Sequence, residues 1–248
     1  MDMRNVCSLT IPEGDVTQIT SGDTVLWKKP RLPPEYQEVE WVQMGGGGSH
    51  SNTIYLELDY MPTQNARLHG AFCPIELSST QATQGFYGAR MDASGRYGYC
   101  NQSVNASGIS VIWWNQSLHK PASGDDYTST NKIFRILHDK QYCSMWIDDT
   151  QVLDNYDCGA ATFATNDNLR IGAAHSNSSL FAYSKLNVYE IKVYDDASLV
   201  YHLVPCYRRS DGKIGMYDLV NSAFVQTCND DVPITVKGPD VYIWHAID

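Results

Sequence analysis

The chain has 248 residues and a formal net charge of −10, and 43% of its residues are hydrophobic while 19% are charged. This composition can bury a core and excludes a disordered chain. An acidic chain without clustered Lys and Arg is not expected to bind nucleic acid, and no apolar run is long enough to insert into a membrane. Because residues 1–5 lack the apolar stretch of a secretory signal, we expect synthesis in the cytoplasm without a signal peptide.

The first 29 residues have the pattern of a small β unit. Apolar and polar residues alternate, with turn sequences at 12–14 (Pro-Glu-Gly) and 21–23 (Ser-Gly-Asp), which is typical of hairpins. Residues 30–36 contain Pro30, Pro33 and Pro34, which donate no backbone hydrogen bond and so predict a stiff linker. We therefore predict a hairpin segment over 1–29, a linker over 30–36, one main domain over 37–241 and a short tail over 242–248.

The main domain has the period of two that is typical of strands. Residues 53–61 place Ile54, Leu56, Leu58 and Tyr60 on one face of a half-buried strand, and residues 85–100 form two strands around a turn at 93–95,. Residues 132–157 form a three-strand meander with turns at 139–141 and 148–150, and further strands follow within 168–175, 180–206 and 223–228. No long window has a helical period. The sequence therefore predicts an all-β fold of two packed antiparallel sheets, such as a jelly roll.

The cysteine pattern favours reduced thiols. Seven cysteines are widely spaced and none forms a C-x-x-C pair, so neither a zinc site nor a redox dithiol is indicated. We expect buried free thiols in preference to disulfides.

The sequence contains little that could catalyse a reaction. Glu57 and Asp59 alternate on one strand, as in retaining glucanases of the jelly-roll type, but a third carboxylate does not follow, so the strand supplies no proton donor. Neither G-x-S-x-G nor H-E-x-x-H occurs, and the seven histidines are scattered,. We predict that the chain is not an enzyme, with an atypical glycoside hydrolase as an alternative.

Two predicted turns contain aspartates that could bind a calcium ion. Asp125-Asp126 and Asp148-Asp149-Thr150 offer the oxygen atoms that calcium prefers. Aspartate is also favoured in turns because its side chain bonds to nearby backbone. No cofactor is predicted, and calcium at either turn remains an alternative.

The aromatic residues predict a carbohydrate site. Apolar CH faces of a sugar ring stack on aromatic rings, while Asn and Asp bond to the hydroxyl groups. Consecutive tryptophans on a strand lie on opposite faces, so the alternative is that one of the two belongs to the core. The candidate residues are Trp113, Trp114, Asn115, Asp125, Asp126, Tyr127, Tyr97 and Tyr99.

Several stretches together resemble a known family. They are LPPEYQEVEWVQ (32–43), GFYGAR (85–90), VYEIKVYDDASLVYHLVPCYRRSDGKIGMYDLVNSAFV (188–225) and VKGPDV (236–241). They resemble concanavalin A-like, laminin-G-like jelly-roll proteins that phages and prophages of gut Firmicutes encode as tail or tail-fibre components. The leading segment SLTIPEGDVTQITSGDTVLWKK (8–29) also resembles the short β segment that often precedes that domain. At 45–52 the chain has GGGGSHSN where the family has Ser-Gly-Thr-Gln-Tyr-Ile.

The resemblance implies a function in the phage virion. A receptor-binding tail component would bind a glycan on the bacterial cell surface and contact other tail proteins, with residues 1–29 serving in attachment or assembly. Fibres of this kind are commonly trimeric, and a purely structural tail decoration protein is the alternative. In the best-matching stretch, Ser210-Asp211-Gly212 is expected to form a turn, Gly215 to allow close backbone approach, and Asp218 to begin the next hairpin.

Overall fold

The computed structural model describes residues 18–21, 24–28, 31–45, 53–76, 83–90, 96–102, 108–113, 116–121, 130–176, 179–181, 185–227 and 232–241. Side chains are described within 31–45, 53–76, 85–89, 130–173, 185–227 and 232–241, and backbone positions elsewhere. These residues form strands, turns and irregular segments and no helix. Along this part of the chain, the predicted all-β class is confirmed.

Strands of 2 to 11 residues follow one another along the described part of the chain. They are β1 (Gln18–Ser21), β2 (Thr24–Lys28), β3 (Tyr36–Glu38), β4 (Val42–Met44), β5 (Leu56–Glu57), β6 (Ala66–Glu76), β7 (Thr83–Arg90), β8 (Arg96–Gln102), β9 (Gly108–Trp113), β10 (Gln116–Pro121), β11 (Phe134–Asp139), β12 (Tyr142–Ile147), β13 (Thr150–Asp157), β14 (Arg170–Ile171), β15 (Ala174–Ser176), β16 (Ser179–Phe181), β17 (Lys185–Asp195), β18 (Ser198–Arg208), β19 (Ile214–Asp218) and β20 (Ala223–Val225).

Two antiparallel sheets make up the main domain. One has six strands in the order β10-β9-β8-β7-β14-β5. The other has ten, in the order β13-β12-β11-β6-β17-β18-β19-β20, with β3 paired to β18 and β4 to β17. Pairs β1-β2 and β15-β16 form separate two-stranded sheets. The predicted two-sheet antiparallel sandwich is confirmed, and its jelly-roll connectivity stays a prediction.

Aromatic rings join the two large sheets. Phe72 of β6 packs against Phe86 and Tyr87 of β7, with ring centroids 5.4 and 5.9 Å apart, and Phe86 meets Phe134 of β11 edge-on at 5.5 Å. All four side chains are fully buried, and each such burial stabilises the fold by about 1.5–3 kcal/mol. One face of β6 and β11 is therefore the core, and the opposite face is left for solvent or a ligand.

The predicted meander is confirmed closely. β11, β12 and β13 pair in succession, and two-residue turns separate them at 140–141 and 148–149. Lys140 and Asp148 open these turns with φ of 55° and 53°, a backbone conformation in which Asp is enriched. On β11 buried and exposed residues alternate, so Phe134 and Ile136 face the core while Arg135 and Leu137 face outward.

The predicted strand over 53–61 is only partly a strand. Leu56 and Leu58 are buried and Asp59 is exposed, as the alternation predicted. The paired part is limited to Leu56–Glu57, because its partner β14 also spans two residues. Beyond it, single hydrogen bonds hold the segment to residue 169.

Asp218 ends β19 and begins the next turn, as predicted. Its side chain is 1% exposed, and its Oδ1 accepts hydrogen bonds from the backbone N–H groups of His202 and Val220, at 3.0 Å each. Asn221 donates to Oδ2. The carboxylate therefore satisfies backbone donors at a hairpin and acts as a structural residue.

The described residues include part of the hairpin predicted over 1–29 and part of the linker predicted over 30–36. β1 and β2 pair antiparallel, with Ser21 opposite Thr24, while the turn predicted at 12–14 lies outside the described residues. In the predicted linker, Tyr36 donates its N–H to the carbonyl oxygen of Pro33 at 3.0 Å and already belongs to β3. The predicted tail over 242–248 lies outside the described residues.

Candidate functional site

An open groove lies on the outer face of the ten-stranded sheet, where β12, β11, β6 and β17 run side by side. Its volume is about 520 Å³. It is lined by His69, Gly70, Ala71, Arg135, Ile136, Leu137, Trp146, Asp149, Tyr189, Glu190 and Lys192. Ile136 faces the core, as described above. Since side chains alternate between the faces of a sheet, its neighbours Arg135 and Leu137 face the groove.

The strand register arranges the groove in two rows. Directly opposed residues on neighbouring strands have Cβ atoms about 4.5–5.5 Å apart, so each row is a continuous surface. The rows are Trp146, Arg135 and Ala71, and Leu137, His69 and Lys192. Alanine has the smallest side chain in the two rows, so the groove is deepest at Ala71.

A β-bulge in β17 supplies one wall of the groove. Val188 pairs with Phe72 and Ile191 with Gly70, so two residues of β17 oppose a single residue of β6. Both of the extra pair, Tyr189 and Glu190, are half-buried, whereas Val188 and Ile191 are fully buried. The bulge therefore places an aromatic ring and a carboxylate next to each other on the outer face.

Much of the groove surface is apolar. Leu137 is 39% exposed, and Trp146 and Tyr189 are each partly exposed. The His69 ring lies against Tyr194, with centroids 5.0 Å apart, and this contact extends the aromatic surface along β17. Rings that are part buried and part exposed can stack on an apolar ligand face without moving.

Glu190 is the centre of a charged network at one end of the groove. Its Oε1 lies 2.6 Å from Nε2 of His202 and 3.2 Å from Nζ of Lys192, and its Oε2 accepts a hydrogen bond from Nη1 of Arg31 at 2.6 Å. The hydrogen bond with His202 and the Arg31 guanidinium hold the pKa of Glu190 well below its usual range. The residue is therefore a carboxylate with most of its acceptor sites occupied.

Two other titratable groups line the groove. Burial, together with the positive charges of Arg67 and Lys192, lowers the pKa of His69, so its ring is neutral at pH 7,. Burial raises the pKa of Tyr189, so its hydroxyl group stays protonated. Arg135 donates through Nη1 to the carbonyl oxygen of Asp148 at 2.8 Å and to Oδ1 of Asp149 at 3.1 Å.

Three residues of the carbohydrate site predicted from the sequence lie on the six-stranded sheet. Tyr97 of β8 pairs with Trp113 of β9, and Tyr99 lies two residues further along β8, so the backbone brings these three positions together. Trp114, Asn115 and the loop residues Asp125, Asp126 and Tyr127 lie outside the described residues. This site stays a prediction.

The two carboxylates of the glucanase-like pattern have different surroundings. Glu57 accepts a hydrogen bond from Asn168 at 3.3 Å and pairs with Nη2 of Arg170 at 2.6 Å. Asp59 lies on the exposed side of the same segment. Glu57 thus ties β5 to β14.

At the described acidic turn, the carboxylates bind protein groups. Oδ1 of Asp148 accepts the backbone N–H of Ile133 at 3.0 Å, its Oδ2 lies 3.6 Å from Nζ of Lys132, and Asp149 contacts Arg135. Across the residues for which side chains are described, no three His, Cys, Asp or Glu side chains are grouped to hold a metal ion. The other turn, Asp125-Asp126, lies outside them.

Four cysteines whose side chains the structure describes are buried free thiols, as predicted. They are Cys73, Cys143, Cys158 and Cys206. Burial raises the pKa of Cys158 and of Cys206 to about 12, which makes these thiols unreactive at neutral pH.

Sequence reasoning missed the groove because its residues come from four separate strands. Trp146 and Tyr189 each follow a buried residue in a strand, so the alternation alone marks both as outward aromatic residues. The register that brings the strands together, and the bulge at Tyr189 and Glu190, have no comparable signal in the sequence.

Within the described residues, no helix is long and apolar enough to cross a membrane. Comparison of the chain with known family models and with curated proteins found no match.

Proposed function

We propose that this chain is a non-enzymatic carbohydrate-binding component of a phage tail and that the groove on the ten-stranded sheet holds the glycan. The observation that carries the proposal is the pairing of two half-exposed aromatic residues, Trp146 and Tyr189, with polar groups across one open groove. Glycan sites need this combination, because a sugar ring has both apolar CH faces and hydroxyl groups.

The dimensions of the groove fit one or two sugar rings. Its volume of about 520 Å³ lies within the range of about 300–1,000 Å³ that is usual for small-molecule sites. Its open form suits a polymer that continues beyond the bound rings. His69 and Arg135 lie between the aromatic residues and provide hydrogen-bonding groups at the centre of the surface.

The phage context is supported by the resemblance of residues 188–225 to tail proteins. That stretch includes the bulge residues Tyr189 and Glu190, so the resemblance and the groove share one segment. In a virion, residues 1–29 would attach the domain to neighbouring tail proteins. Mass spectrometry of purified particles from a strain that carries the gene tests this part, and absence of the chain from the particles would contradict it.

Binding is tested with the full chain on a glycan array and in a pull-down of bacterial cell walls. We expect binding to at least one surface glycan, and we expect Trp146→Ala and Tyr189→Ala each to lower the affinity about tenfold, because each ring contributes a stacking surface. Tyr142→Ala is the matched control. It removes an exposed aromatic residue from the same strand as Trp146 but outside the groove.

Other outcomes would favour the other functions. If no glycan binds at any calcium concentration, the chain is better explained as a structural tail decoration. Release of reducing sugar from a host polysaccharide, abolished by Glu57→Gln, would instead identify a glycoside hydrolase.

A further inference from the structure

We propose that the sugar held in the groove carries a carboxylate, which Arg135 and Lys192 bind. This inference rests on the proposed function, since it names the class of glycan that the same groove takes. It depends on which donors and acceptors of the groove are already used within the protein.

One of the two carboxylates of the groove is largely occupied. Glu190 accepts contacts from three groups, namely Arg31, His202 and Lys192. Asp149 uses Oδ1 for Arg135, while its side chain is 97% exposed. At the Glu190 end of the groove, a ligand that brings mainly hydroxyl donors would therefore find few open acceptors.

The cationic donors are less occupied. Among the described residues, the protein contacts of Arg135 involve Nη1 alone, which leaves Nε and Nη2 to face a ligand. An Arg fork of this kind matches the two oxygens of a carboxylate. The ammonium group of Lys192 has three donors and one carboxylate partner at 3.2 Å, and its side chain is 37% exposed.

The two cations flank the centre of the groove. β11 and β17 lie on either side of β6, so Arg135 and Lys192 are two strands apart, a separation of about 10 Å between backbones. His69 and Ala71 lie between them. A sugar ring on this surface, with its CH face toward Trp146 or Tyr189, can place its carboxylate over β6, between the two long cationic side chains and within reach of both.

The charges favour a ligand with few negative charges over a polymer that carries one on every unit. The whole chain has a net charge of −10, which repels any polyanion at long range. Asp149 and Glu190 line the groove together with the two cations, so a sugar with a single carboxylate matches the open donors. A carboxylate and a phosphate both suit an Arg fork, and the experiment therefore includes both.

The test compares matched ligands by isothermal titration with the full chain. The probes are a glucuronate-terminated oligosaccharide, the glucose-terminated oligosaccharide of the same linkage, and glycerol phosphate as a phosphate without a sugar ring. We expect the glucuronate probe to bind at least about tenfold more tightly than the glucose probe, and more weakly as salt rises, because hydrogen bonds to charged groups are strong and salt screens them.

Substitutions of Arg135 and Lys192 test whether these two residues cause the preference for glucuronate over glucose. Arg135→Gln and Lys192→Gln should each weaken glucuronate binding about tenfold and leave glucose binding nearly unchanged. Lys213→Gln removes the same charge from an exposed turn and should change neither. Because Arg135→Gln also removes contacts to the turn at 148–149, near-ultraviolet circular dichroism checks its fold, and Lys192→Gln gives an independent result.

The opposite results are distinguishable from one another. Equal binding of the two sugars, preference for glucose, or tight binding of glycerol phosphate would overturn the carboxylate assignment and leave the glycan function standing. If neither sugar binds and the array is also silent, the proposed function itself fails. Retention of the glucuronate preference in both cation variants would overturn the assignment of these residues.

Discussion

Burial of His138 contributes to the pH dependence of stability in this sandwich. His138 is fully buried, and its Nδ1 lies 2.9 Å from the hydroxyl of Tyr87 on the opposite sheet. Burial lowers its pKa from 6.5 to about 3. Below pH 6.5 the unfolded chain binds a proton that the folded chain does not, so the contribution of His138 to stability declines from pH 6.5 toward pH 3.

His138→Gln should therefore reduce the pH dependence. We expect the loss of unfolding free energy between pH 7 and pH 4, measured by urea denaturation, to be smaller in this variant than in the unmodified chain. Tyr87→Phe is the control, since it removes the hydroxyl but keeps a buried imidazole and so keeps the slope. An unchanged slope in His138→Gln would show that other groups determine the acid sensitivity.

The structure gives distances for the close backbone approach that the sequence predicts at Gly215. The sequence predicts close backbone approach at this residue, and a Cβ atom there would lie 2.5 Å from the carbonyl oxygen of Val225 and 2.8 Å from the Phe224 ring. Gly215→Ala should therefore displace β20 and cost about 1–3 kcal/mol of unfolding free energy. Urea denaturation measures the loss, with Ala223→Ser, at an exposed position on β20, as the control. A loss as small as that of the control would mean that β20 moves aside freely.

At the level of elements, Arg31 fixes the predicted linker to the large sheet. Its guanidinium pairs with Glu38 of β3 and Glu190 of β17, and the side chain of Glu38 is 7% exposed. Arg31→Ala leaves both carboxylates without this partner and should cost about 1.5–3 kcal/mol at pH 7, the usual range for hydrogen bonds to charged groups.

This loss should decrease in acid. The folded pKa of Glu190 lies below its usual value of 4.5, so its stabilising contribution is complete above pH 4.5 and declines as the pH falls below it. Thermal unfolding of Arg31→Ala and the unmodified chain should therefore converge below pH 4.5. Lys140→Ala, which breaks the exposed pair with Asp196, should cost less at pH 7. A difference that persists unchanged at pH 3 would contradict the role of the carboxylates.

The elements also show what the sequence could predict. The meander was predictable because its turns carry polar residues between alternating strands, and those turns lie where expected. The length of β5 could not be predicted, because it depends on pairing with β14, which lies more than 100 residues away in the sequence. The bulge at Tyr189 and Glu190 depends likewise on the register with β6, so the sequence indicated outward aromatic residues without their arrangement.

For the whole molecule, the central question is which sheet binds the glycan. The groove is built on the ten-stranded sheet, while Tyr97 and Trp113 belong to the six-stranded sheet. A ligand that binds only the folded state stabilises it by about 2.7 kcal/mol at one hundred times its Kd. The shift in Tm with excess glycan thus reports binding on either sheet.

Two tryptophan variants separate these sites. With ligand at one hundred times the Kd of the unmodified chain, Trp113→Ala should keep the shift in Tm, whereas Trp146→Ala should lose about half of it, because a tenfold weaker site gives only about half the stabilisation. The shift is measured against each variant without ligand, so any intrinsic loss of stability cancels. A reduced shift in Trp113→Ala with a full shift in Trp146→Ala would place the glycan on the six-stranded sheet, at the residues that the sequence predicted, and the groove would then need another ligand.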